Sequence, residues 1–166
     1  MDEELRKLLD EYKHDVPRLY KFAGVTAATV KPYILAELEI AIGARDRDAY
    51  DTLFAMACSI ENPVIKADTL NGLLVMPGHE HHQRVTMEIQ RLRSPSSVPF
   101  IRAMFERGFE SLEYTCSEDG AIAKWFSHAL AKIGTPEAIS LIIELADSDN
   151  AEIASEMAYR LGKLNT

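Results

Sequence analysis

Three histidines fall within four positions, His79, His81 and His82, in the run PGHEHHQ. Neutral imidazole is a common metal ligand and titrates near neutral pH, so this cluster is the first place to look for a metal centre or a proton relay. Histidines three apart on a helix share a face, which suits His79 and His82. No HExxH, no His-x-x-x-His and no cysteine pair accompanies them, so the expected reading is a solvent-facing helix start with no metal. Ser127 and His128 are the second candidate. A nucleophile and its base must lie within hydrogen-bond reach, whereas neighbours on a helix point about 100° apart, so the two make a poor pair. His128 is expected on a surface or concave face. Cys116, in EYTCSED, precedes a helix start whose dipole would lower a thiol pKa, but the surrounding acids push the other way, and a buried structural thiol is expected. There is no glycine-rich phosphate loop, no dinucleotide fingerprint and no GxSxG. These absences point away from an enzyme, a catalytic set and a cofactor.

Such residues must be positioned by regular elements, and composition narrows which. The chain has 166 residues, 47% hydrophobic and 27% charged, as expected of one folded domain. No run approaches the roughly 20 apolar residues of a membrane helix, and the acidic, amphipathic start MDEELRKLLDEYKHD is unlike a secretory signal. With two cysteines, Cys58 and Cys116, set in apolar patterns, a reduced cytoplasmic protein is expected.

Charge is unevenly placed. The net charge is −8. Between Gly108 and Tyr159 stand ten acids (Glu110, Glu113, Glu118, Asp119, Glu137, Glu144, Asp147, Asp149, Glu152 and Glu156) against Lys124 and Lys132, so this segment carries the whole excess. An acidic surface repels phosphate backbones and attracts basic proteins, so nucleic acid is disfavoured as a partner.

The apolar period is helical almost throughout. Leu5, Leu8, Leu9 and Tyr12 predict a helix over residues 2–14. Further helices are predicted over 30–43, ending at Gly43, and over 46–59. Another runs from Asn62-Pro63 to Met76, and the next over 80–92. In the second half, Ser94-Pro95 opens a helix to Arg107 and Ser117-Glu118-Asp119 caps GAIAKWFSHALAKIG. Thr135-Pro136 and Asp149-Asn150 open the last two. Nothing alternates with period two for long enough to make a strand, so the fold class is all-α.

The helices repeat. RLRSPSSVPFIRAMF aligns with AKIGTPEAISLIIELA at an offset of 41, and AIAKWFSHALAKIG with AEIASEMAYRLG at an offset of 28. TPEAISLIIELADSDNAEIASEMAYRLGKL resembles a HEAT repeat, and NPVIKADTLNGLL looks like a weaker second helix of the same kind. The resemblance implies a right-handed α-solenoid of stacked antiparallel helical hairpins, one domain over 1–166, with N-terminal capping helices in 1–45 and HEAT-like repeats in 46–166. FESLEYTCSEDGAIAKWFSHALAKIGTPEA is also similar to small bacterial HEAT-repeat proteins found beside polymorphic toxins, which implies an immunity protein that neutralises a cognate toxin domain. Other HEAT-like roles are a general adaptor or scaffold and a bilin-lyase-like protein. A metal-dependent hydroxylase of this family, deoxyhypusine hydroxylase, holds two irons through several His-Glu pairs. This chain has the single pair His79-Glu80, too few ligands for such a centre.

Ile122, Phe126, Ala129 and Ile133 form the core stripe of one late helix, flanked by Trp125. Ile153, Met157, Leu161 and Leu164 form that of the last. Lys124, Ser127, His128 and Ala131 are then left for the surface, with Glu152, Ser155, Glu156 and Tyr159 as their equivalents. Adding Glu113, Tyr114, Glu118 and Asp119 from the preceding loop gives a small, acidic, protein-binding face. The expected partner-binding residues are Glu113, Tyr114, Glu118, Asp119, Lys124, His128, Glu152, Glu156 and Tyr159, and the expected partner is a basic protein.

Overall fold

The computed structural model describes residue 21 and residues 24–164. The helix predicted over 2–14 lies outside them. Every regular element among the described residues is helical. They are α1 (Val30–Ala44), α2 (Arg47–Cys58), α3 (Pro63–Val75), α4 (His82–Leu92), α5 (Val98–Arg107), α6 (Asp119–Ile133), α7 (Pro136–Ala146) and α8 (Ala151–Leu164), with short 3-10 segments at Pro95–Ser97 and Glu110–Thr115. None is long and apolar enough to cross a membrane.

Local chemistry accounts for most boundaries. The side chains of Asp46, Asn62 and Thr135 accept hydrogen bonds from the otherwise unpartnered first-turn N–H groups of α2, α3 and α7. Pro63 and Pro136 begin their helices where no N–H is needed. Asn150 does the same for α8, accepting from Glu152 N and Ile153 N. Several boundaries differ from expectation, among them α4, which starts at His82 instead of residue 80. α1 runs past Gly43 to Ala44, and Arg45 takes the left-handed position with φ 54°. The helix expected from Ser94 begins as the 3-10 turn Pro95–Ser97 and becomes α-helical only from Val98, just before Pro99. At α6 neither Ser117 nor Glu118 supplies a side-chain cap; the cap comes from α8, as described below.

The chain divides between His81 and His82 into two compact units. In the first, α1 packs on both α2 and α3, and α2 also meets α3. Ile34, Leu53, Leu70 and Leu74 are fully buried there. Gly78 closes this unit with φ +91°, and a Cβ at that position would lie 2.9 Å from Ile42 Cγ2. Both the backbone conformation and the close approach call for glycine.

In the second unit α6 lies between α4 and α8, and α7 packs on both α6 and α8. Phe126 is fully buried, edge-on to Phe105 and stacked on Phe109, with ring centroids 5.4 and 6.1 Å away. α5 and α7 are joined by a two-pronged ion pair in which Arg102 Nη1 and Nη2 donate to the two Glu144 oxygens at 2.7 and 2.8 Å. The hydrogen bonds from Arg102 hold the exposed Glu144 carboxyl below its ordinary pKa.

Candidate functional site

The histidine cluster is not the solvent-facing helix start that the sequence suggested. His79 and His82 are both buried. In the first unit, His79 Nε2 donates to the Leu73 carbonyl at 2.8 Å and Nδ1 accepts from His81 N–H at 3.1 Å. Both ring nitrogens are therefore engaged by backbone and the ring is held neutral. Burial pushes its pKa down to about 4. The Leu73 carbonyl, in the last turn of α3, also accepts from Met76 N–H at 3.3 Å, so His79 adds a second donor at this helix end. The His81 ring lies between Phe54 and Tyr50, with Nε2 3.4 Å from an Asp51 oxygen. In the second unit, His82 N–H donates to the Tyr114 hydroxyl at 3.1 Å, and its Nδ1 shares a hydrogen bond with that hydroxyl at 3.0 Å. The run GHEHH reads as chemistry in sequence, but its backbone hydrogen bonds give these rings structural work. Among the described residues no three His, Cys, Asp or Glu side chains converge as metal ligands would.

Cys116 is also placed otherwise than expected. It is exposed, in a left-handed turn with φ 50° that ends the Glu110–Thr115 segment. Leu112, in the same 3-10 segment, is buried, while Cys116 at its end turns outward between the half-buried Thr115 and Ser117.

The second unit carries the partner-binding residues read from sequence, and the structure groups them in two places. At the joined starts of α6 and α8, Asn150 Nδ2 donates to Asp119 at 2.6 Å and Gly120 N–H donates to Glu152 at 2.8 Å. Each helix start is thus tied to the other, and Glu152 supplies the cap that α6 lacks. Glu118 is exposed beside this junction, and Glu113 is exposed in the preceding 3-10 segment.

Further along the same helices lies a clasp. Ser127 Oγ donates to Glu156 at 2.7 Å and accepts from Arg160 Nε at 3.1 Å. Arg160 Nη2 also donates to Glu156 at 3.1 Å and to His128 Nε2 at 2.8 Å. Arg160 is only 9% exposed and Ser127 is fully buried. Ser127, expected at the surface, is therefore part of the interior. The sequence points it outward because it lies off the apolar stripe of its own helix; the core residues of α6 and α8 correspond at an offset of 31, pairing Ile122 with Ile153 and Phe126 with Met157, and Ser155, matched to Ser127 at 28, is exposed. Leu164, expected in the core stripe of the last helix, is 41% exposed in its final turn. Ser127 and His128 do not bond to one another; Arg160 bridges them. Arg160 was not singled out from sequence, although its place in the core register, 31 residues after Ala129, was the signal. His128 accepts from Arg160 and so is neutral at that nitrogen. Burial first, and the nearby Arg160 charge second, lower its pKa.

On the other side of α6, a cleft of about 320 Å³ opens toward α4. Trp125, Lys124 and His128 line it from α6, and Met87, Gln83 and Gln90 from α4. Tyr159, on α8, is 57% exposed, with the Lys163 ammonium 5.4 Å and the Arg160 guanidinium 5.9 Å from its ring centre. Of the nine sequence-derived residues, Asp119 and Glu152 meet at the helix starts, Glu156 and His128 meet through Arg160, and Lys124 joins His128 in the cleft wall. Neither a protein-family model nor a curated protein nor a solved structure matches this chain.

Proposed function

We propose that this chain is a non-catalytic binding protein of the helical-repeat type, an α-solenoid of HEAT-like hairpins, that docks a basic protein through the acidic surface of its second unit. The specific role we propose is that of a cytoplasmic immunity protein occluding the basic working surface of a cognate toxin domain. One observation carries the reading. Of the ten acids between Gly108 and Tyr159, Glu110, Glu113, Glu118, Glu137, Asp147 and Asp149 are exposed, and their side chains make no hydrogen bond or ion pair to any described residue. The other four, Asp119, Glu144, Glu152 and Glu156, are taken up by internal contacts. Charge left unneutralised on one segment attracts a basic partner and speeds its association more than it strengthens the final complex.

The test uses the protein encoded by the adjacent gene, purified and mixed with this chain in a titration calorimeter. A complex that weakens with salt, and weakens further in Glu113→Lys with Glu118→Lys, supports the proposal. Those two acids are chosen because their side chains hold nothing in place, whereas Glu152 and Glu156 do. No complex, or one indifferent to both salt and charge reversal, overturns it.

A further inference from the structure

We propose that the cleft between α4 and α6 is a binding site for a small planar carboxylate, such as an aromatic acid, which would lie against Trp125 and Met87 and be held by the donors around them. Trp125 is half-buried and Met87 is 47% exposed, so an aromatic face and a thioether stand partly open to water. Flat apolar groups stack favourably on such a pair.

The polar groups around this floor are hydrogen-bond donors or amides, with no carboxylate among them. Lys124 is exposed and makes no ion pair to a described residue, and the Gln83 and Gln90 amides make no hydrogen bond to one. Thr86 also borders the cleft, but its hydroxyl is turned back to the His82 carbonyl at 2.8 Å. The clasp fixes the remaining group. Arg160 donates to His128 Nε2, so a neutral His128 ring carries its proton on Nδ1, which has no partner among the described residues. Arg160 also disfavours a second proton on this ring, so the donor persists without a net charge. An ammonium, an imidazole N–H and two amide groups around an aromatic floor complement a ligand that is flat and rich in acceptors. The cleft volume lies at the lower end of small-molecule sites. This inference is independent of the protein-docking proposal: it uses donors on α6 about one and a half (Lys124) and two and a half (His128) turns beyond the acids at the helix start.

Trp125 is the sole tryptophan, so its fluorescence reports occupancy of the cleft directly. The full chain is titrated with benzoate, and separately with benzamide, at constant ionic strength. The expected result is a saturable change in Trp125 emission with benzoate, and binding of benzamide weaker by about tenfold, the loss of a charge-assisted contact. Lys124→Met removes that preference while far-UV circular dichroism stays unchanged, since Lys124 is exposed. The side-chain amide resonances of Gln83 and Gln90 shift on addition of benzoate to the unaltered chain. Absence of saturation with benzoate overturns the proposal, as does equal affinity for benzamide or a preference that survives Lys124→Met.

Discussion

Lowering the pH from 6.5 toward 4 is expected to destabilise the first unit through a single ring, His79. The folded state holds this imidazole neutral, because Nε2 donates to the Leu73 carbonyl and Nδ1 accepts from His81 N–H. Its pKa is lowered from 6.5 to about 4 by burial. In the unfolded chain the ring takes up a proton near 6.5, so below that pH the unfolded state gains a proton that the folded state refuses. Stability therefore falls as pH drops through this interval, and the loss is complete once the folded pKa is passed. Above 6.5 the group contributes no pH dependence. At about 1.4 kcal/mol per pH unit, the interval from 6.5 to about 4 amounts to about 3 kcal/mol, a large share of a small domain's stability. The assay is urea denaturation, followed by circular dichroism across this pH range, of the unaltered chain and of His79→Gln. Glutamine does not titrate, and its amide N–H reaches toward the same carbonyl. Carboxylates titrate in both proteins, so the difference between their pH profiles isolates His79. The unaltered chain should lose about 3 kcal/mol more than the variant between the two ends of the range. Histidine-ring NMR should show a neutral ring protonated at Nε2 at pH 7. Parallel pH profiles, or a His79 ring that titrates near 6.5 in the folded protein, would refute the reasoning.

Arg160→Met leaves Glu156 and Ser127 without their cation and should destabilise the second unit by roughly 3 kcal/mol in chemical denaturation, while adding Glu156→Gln should recover part of that loss. Gly78→Ala forces a Cβ against Ile42 in a left-handed backbone and should cost about 2 kcal/mol; Ile42→Ala in the same chain should relieve the clash but not the backbone strain. Cys116 should react with a thiol reagent in the native state at close to the rate of a free thiol, and the half-buried Cys58 more slowly, read as two kinetic phases of absorbance.

Helix positions were legible because their signals are local. Asn62-Pro63 and Thr135-Pro136 bring a capping side chain and a residue without N–H to the place where a helix begins, and α3 and α7 start there. The stripe Ile122, Phe126, Ala129 and Ile133 was legible for the same reason, since a period of 3.6 is a property of one segment. The registry between segments was harder to read. Residue identity favoured an offset of 28 between the last two long helices, whereas the buried pairs Ile122 with Ile153 and Phe126 with Met157 correspond at 31. Ser127 is inside because Glu156 and Arg160 of α8 meet it there, and Leu164 is exposed in the final turn of its helix although Ile133, 31 residues earlier, is buried.

The sequence by itself determined the class of structure and the imbalance of charge, because both follow from residue types and short-range spacing. It could not say what each polar group would meet. His79 became a helix-end partner because the chain turns at Gly78 and brings the ring back to the Leu73 carbonyl. Glu152 became the cap of a different helix, and Arg160 became the bridge among Ser127, His128 and Glu156. Hydrogen bonds between residues some thirty positions apart depend on how two helices are set side by side, and only the packed tertiary structure supplies that information.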